Sequence, residues 1–91
     1  MTTPTWSANS MPTVLRKYGF AFYFYAHENA EPPHVHADKG DGTIKMWLDP
    51  VRVAWTAGLK PAEVRQALLL AEENESFLLE KWHEFFERTR P

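Results

Sequence analysis

The sequence contains no cysteine, which excludes a disulfide framework, a thiolate metal site and a thiol nucleophile. Its longest apolar run, residues 20–26, is far shorter than the roughly 20 residues that a helix needs to cross a bilayer. A large excess of one charge sign is also absent. Residues 1–60 carry six Lys and Arg against five Asp and Glu, and residues 61–91 carry four Lys and Arg against seven Asp and Glu. We therefore expect neither a membrane partner nor a broad basic surface for nucleic acid.

The chain is instead rich in aromatic residues for its length. Its 91 residues include six Phe, four Trp and three Tyr, and 44% of all residues are apolar. This length suits one small core. Residues 1–10 are polar and aperiodic, and we predict a disordered N-terminal extension there, followed by a single α+β domain over residues 11–91. Because this start lacks a basic and apolar signal pattern and the chain lacks cysteine, we expect a cytoplasmic location.

Residues 13–56 have the composition of short strands separated by turns. Gly40-Asp41 is suited to a two-residue type II′ hairpin turn between strands 34–39 and 43–48. A turn of this length sets the register, which pairs His34 with Trp47 and His36 with Lys45. Asp49-Pro50 predicts another turn before a last short strand, residues 51–56.

The predicted register divides the side chains between two sheet faces, because successive residues of a strand point in opposite directions. Val35, Ala37, Ile44 and Met46 lie on one side, which we call the apolar face. We expect the alternating Phe residues of 20–24 to join it beneath the helices. The opposite side, which we call the histidine face, carries these predicted members: Tyr23, Tyr25, His27, His34, His36, Asp38, Lys45 and Trp47.

After Pro61 the apolar residues recur at intervals of three and four, which is the pattern of an amphipathic helix. Pro61 suits the first helical position, and Asn74 is a competent N-cap that divides the region. We predict two helices, at roughly 61–73 and 75–88, with one bent helix as the alternative. The predicted fold is therefore α+β: an antiparallel sheet of four to five strands followed by two C-terminal helices packed on one face.

Four segments together resemble the small bacterial proteins of domain of unknown function 4160. They are EPPHVH at 31–36, KGDG at 39–42, WLDPVR at 47–52 and WHEFF at 82–86. The resemblance covers residues 11–88 and implies no established activity. Members of that family are often encoded beside another small protein, in an arrangement similar to toxin–antitoxin modules. The resemblance therefore implies a small partner protein encoded nearby.

His34 and His36 are the most suggestive pair for chemistry. Two histidines two apart on a strand point the same way, as two ligands of one divalent metal such as zinc would. Asp38 on the same face is a candidate third ligand, and His27 and Glu28 from the preceding loop are the alternatives. Lys45 opposite His36 opposes metal binding. The structural alternative is that both imidazoles form hydrogen bonds with the loop backbone beside the two prolines.

The same face suggests two function classes. In the first, the protein is a binding module of a two-protein system, and Tyr23, Tyr25, His27, Trp47 and Glu31 form the surface for the partner or for a second copy in a homodimer. In the second, it is a small nuclease in which His34, His36 and Lys45 act on RNA, with or without metal. Whether the protein is an enzyme stays open from sequence alone. If the helices covered the histidine face instead, His83 and Glu84 could complete a catalytic cleft.

Overall fold

The structure is a computed structural model that describes residues 13–25 and 30–88. The predicted extension at residues 1–10 lies outside the described residues, and so do His27 and Glu28. The described residues form one antiparallel sheet followed by two helices, which confirms the predicted α+β class.

The sheet has five strands in the described part of the chain, and their spatial order follows the sequence, β1-β2-β3-β4-β5. All four neighbouring pairs are antiparallel. The strands are β1 (Thr13–Lys17), β2 (Phe20–Tyr23), β3 (His34–Lys39), β4 (Gly42–Leu48) and β5 (Val51–Ala57). This meander places β3 in the centre of the sheet and leaves β1 and β5 at its edges.

The β3–β4 hairpin has the predicted register throughout. Lys39 pairs with Gly42, His36 with Lys45 and His34 with Trp47. Gly40 has a φ of 58°, and Tyr18 is the sole non-glycine residue with positive φ among those described, so the φ of Asp41 is negative. These angles agree with the predicted type II′ turn, in which the first central residue alone needs a positive φ.

The β1–β2 hairpin differs from the prediction in detail. The composition favoured strands at 13–18 and 20–27 with Gly19 between them, whereas β1 ends at Lys17 and β2 at Tyr23. Tyr18 and Gly19 form a two-residue turn with φ angles of 51° and 84°. Positive φ at both central positions is the type I′ pattern, whose twist matches that of the flanking strands.

The helices have the predicted bounds: α1 spans Pro61–Glu73 and α2 spans Glu75–Arg88. At the start of α1, the side chain of Glu63 accepts a hydrogen bond from the backbone N–H of Lys60 at 2.8 Å, which satisfies a donor that the helix itself cannot pair. At the junction, the Asn74 side chain donates to the Leu70 carbonyl at 2.8 Å and thus contacts the end of α1.

Both helices pack on the apolar face, as expected. The buried cluster combines sheet residues of that face with helix residues. Its members are Phe20, Phe22, Phe24, Val35, Ala37, Ile44, Met46, Leu48, Ala67, Leu70, Ala71, Leu78, Trp82 and Phe86. The alternative in which the helices cover the histidine face is therefore wrong. His83 and Glu84 are exposed on α2 and do not complete a cleft there.

Candidate functional site

The structure brings the predicted histidine-face residues of β3 and β4 together in the centre of the sheet, but it does not leave them exposed. His34 has no exposed surface and His36 is 3% exposed. The side chain of Lys45 is 10% exposed. The nuclease hypothesis needs these three residues to be accessible, whereas the structure buries them, because neighbouring aromatic rings pack against both imidazoles and the lysine lies beside Trp47.

His36 lies among the rings of four other residues, one of which is His34, whose ring centroid is 5.5 Å away. Tyr23 stacks on it with ring centroids 5.5 Å apart and an interplanar angle of 19°. Tyr25 meets it edge-on at 4.6 Å, and Trp55 approaches at 6.5 Å. Aromatic contacts of this kind orient an imidazole through packing. The result is a packed aromatic cluster around His36 on the side of the sheet that faces away from the helices.

Trp55 is a member of this cluster that the sequence analysis missed. Simple alternation from Arg52, which pairs with Trp47, would put residue 55 on the apolar face. The register shifts between Lys45 and Met46, so that Lys45 pairs with Trp55 while Met46 pairs with Val53. This one-residue β-bulge turns Trp55 to the histidine face, and a bulge has no reliable sequence signal.

Lys45 is the buried charge of the face. Its Nζ lies 2.7 Å from Oε1 of Glu31, and it also lies 5.0 Å from the centroid of the Trp47 ring. Glu31 comes from the segment that leads into β3, and its side chain is 43% exposed. A buried ammonium needs a counter-charge, so Glu31 neutralises Lys45 from the surface.

His34 connects this ion pair to the helix layer. Its Nδ1 lies 2.9 Å from the carbonyl oxygen of Pro32, and because a carbonyl can only accept, Nδ1 carries the proton. Oε1 of Glu31 is 3.6 Å from the same nitrogen. The His34 ring also contacts Trp47 at 5.6 Å and Trp82 of α2 at 4.9 Å. The predicted hydrogen bond to loop backbone beside the prolines is therefore present for His34.

Asp38 is held by Tyr23, whose hydroxyl donates to Oδ1 of Asp38 at 2.9 Å. Burial, followed by hydrogen bonds with Tyr25 and Asp38, raises the pKa of the Tyr23 hydroxyl far above its ordinary range, so it stays protonated and remains a donor.

Asp38 shares a face with His34 and His36, as expected. Within residues 13–25 and 30–88, no three His, Asp or Glu side chains are grouped to hold a metal ion, and the metal site stays a prediction.

Polar groups inside this face are well satisfied. In the described part of the chain, every buried side-chain nitrogen and oxygen has a hydrogen-bond partner. The exposed part of the face includes two aromatic rings, with charged residues towards its borders. Tyr25 is 36% exposed and Trp55 is 48% exposed, and Arg16, Glu31 and Arg52 are exposed near the borders.

Neither helix of the described residues has the length and apolar character that a membrane span requires.

A comparison with protein families matches residues 19–83 to the family described as Domain of unknown function (DUF4160). Comparisons with curated proteins and with solved structures each found no match. The family match covers well over half of the chain, and the chain belongs to this family.

Proposed function

We propose that this member of the DUF4160 family is a protein-binding module that engages a small partner protein through its histidine face. The observation that carries the proposal is the pair of half-exposed rings, Tyr25 and Trp55, which flank the buried His36 on the side of the sheet opposite the helix layer. Tyr, Trp and Arg are the residues that most often dominate binding energy in protein interfaces.

The packing of the aromatic cluster supports this proposal. Tyr25 packs edge-on against both Tyr23 and His36, at 5.4 and 4.6 Å between centroids, so its ring is held before any partner arrives. A preorganised aromatic anchor loses little conformational entropy on binding. We infer that the histidines position this surface, and that they do so without contacting the partner themselves.

We further propose that the partner is a small protein encoded nearby, and that the two proteins form a toxin–antitoxin-like pair in the bacterial cytoplasm. This step rests on the family resemblance. The nuclease alternative is less well supported, because a general acid or base must reach the proton that it transfers. His34 and His36 are buried, and a phosphodiester would have to displace the aromatic cluster to reach them.

The test is the affinity of the full chain for the small protein encoded beside its gene, measured by isothermal titration calorimetry. Tyr25→Ala and Trp55→Ala should each weaken binding by about 30-fold or more, as expected for interface hot spots. Leu69→Ala is the matched control, because Leu69 is an exposed apolar residue of α1. Thermal unfolding confirms that each variant is folded.

Equal effects of the three substitutions, or no effect of Tyr25→Ala and Trp55→Ala, would contradict the proposal. So would RNA cleavage that His34→Ala and His36→Ala abolish while partner binding is retained, since that outcome assigns the face to catalysis.

A further inference from the structure

The charges at the border of the histidine face are unevenly balanced. Asp38 accepts a hydrogen bond from Tyr23, and Glu31 is paired with Lys45 at 2.7 Å, so both carboxylates are already engaged. Two further cations on this face, Arg16 and Arg52, are exposed. Among the described residues, no carboxylate forms an ion pair with either arginine.

The two arginines lie at opposite edges of the sheet. Arg16 belongs to β1 and pairs with Ala21 of β2, and Ala21 in turn pairs with Asp38 of β3, so Arg16 lies on the histidine face. Arg52 belongs to β5 and pairs with Trp47 on the same face. Four interstrand steps separate β1 from β5, which corresponds to about 19 Å across the sheet.

We propose that the partner presents an acidic protein surface to the histidine face, with carboxylates that pair with Arg16 at the β1 edge and with Arg52 at the β5 edge, on the same strand as Trp55. This inference rests on the proposed function and specifies the chemistry of the partner. Complementary charge at an interface speeds association and selects the partner, while the aromatic residues supply most of the binding energy.

Two other occupants fit the face less well. An RNA strand spanning the face from β1 to β5 would meet the carboxylate of Glu31 at Lys45 on β4, between the two arginines. The acidic helices of a second copy could also approach the arginines, but a helix layer docked on a sheet face is a heterologous contact and tends to build open chains. A partner of a different sequence can place carboxylates at the two arginines alone, without a continuous run of negative charge past Glu31, and can form a closed one-to-one complex.

The experiment compares charge reversals in the full chain, with the small protein encoded beside its gene as the probe. Arg16→Glu and Arg52→Glu should each lower its affinity about five- to tenfold. Arg65→Glu is the matched control, because Arg65 is exposed on α1, on the opposite side of the sheet, and it should leave affinity unchanged. The affinity of the wild type should also fall as ionic strength rises towards about 0.15 M.

The outcomes separate this inference from the proposed function. If Tyr25→Ala and Trp55→Ala weaken binding but neither reversal does, the acidic partner is refuted and the interface stands. If none of the four substitutions matters, both fail. A loss with Arg65→Glu as large as that with Arg52→Glu overturns the inference. Concentration-dependent growth of a homo-oligomer that Arg52→Glu abolishes, or RNA binding with the same dependence, overturns it as well.

Discussion

The ion pair between Lys45 and Glu31 joins a buried cation to a half-exposed anion, and its two halves should respond differently to substitution. Glu31→Gln keeps the shape of the side chain but leaves the ammonium of Lys45 buried without its counter-charge. Lys45→Met removes the buried charge, keeps an apolar stem beside Trp47, and returns Glu31 to water. We therefore expect Glu31→Gln to be the more destabilising change.

The magnitudes follow from the geometry. At the observed 2.7 Å, the gross attraction is about 6 kcal/mol for an effective dielectric constant near 20. Desolvation of Lys45, whose side chain is 10% exposed, offsets much of this gain. Glu31→Gln retains an accepting oxygen but loses the charge, and we expect it to cost about 2 kcal/mol of unfolding free energy. Lys45→Met should change that free energy by less than about 1 kcal/mol.

Urea denaturation at pH 7, followed by tryptophan fluorescence, measures both values. The double variant provides the control: once Lys45 is methionine, adding Glu31→Gln should cost almost nothing, because the charge that Glu31 neutralises is gone. The reasoning is refuted if Lys45→Met destabilises the protein as much as Glu31→Gln does. It is also refuted if the two effects add in the double variant.

Two further predictions concern the sheet itself. Tyr23→Phe removes the hydrogen bond to Asp38 and should cost about 1 kcal/mol at neutral pH. Folding raises the pKa of the Tyr23 hydroxyl, so the hydroxyl contributes fully to the free energy of unfolding below its unfolded pKa of about 10. That contribution is lost as the pH rises above this value. The difference in unfolding free energy between wild type and Tyr23→Phe, measured by urea denaturation, should therefore shrink above about pH 10. Gly42→Ala should cost about 3 kcal/mol by the same measurement, because its Cβ would lie 2.7 Å from the Gly58 carbonyl oxygen. Gly40→Ala should cost about 1 kcal/mol, because a Cβ at this position would have no atom within 4 Å and the cost is confined to the positive φ. Equal losses of unfolding free energy at the two positions would contradict the close approach of Gly42 and Gly58.

Local signals in the sequence were sufficient for much of the fold. The glycine-led turn at Gly40 determines the register of β3 and β4, and Pro61 and Asn74 mark the start and the division of the helical region. Each of these residues determines the backbone conformation of its own turn or helix end, within a few residues of its position in the sequence. The assignment of His34 and His36 to one face followed from that register and is confirmed.

The remaining features depend on contacts that no local pattern encodes. The bulge that turns Trp55 to the histidine face arises from the pairing of β4 with β5, and the turn at Tyr18 places a bulky residue at positive φ, against its own preference. The burial of Lys45 and His34 depends on distant partners: Glu31 from the segment before β3 and Trp82 from α2. No local pattern in the sequence indicates that these residues meet.

Binding of a small partner protein to the histidine face can be observed residue by residue in an NMR titration. The full chain, labelled with ¹⁵N, is titrated with the small protein encoded beside its gene. We predict that the indole N–H of Trp55 and the backbone amides of Tyr25 and Arg52 shift or broaden, while the amide of Leu69 on α1 does not. Changes confined to α1 and α2, with the Trp55 indole unmoved at saturation, would contradict binding at the histidine face.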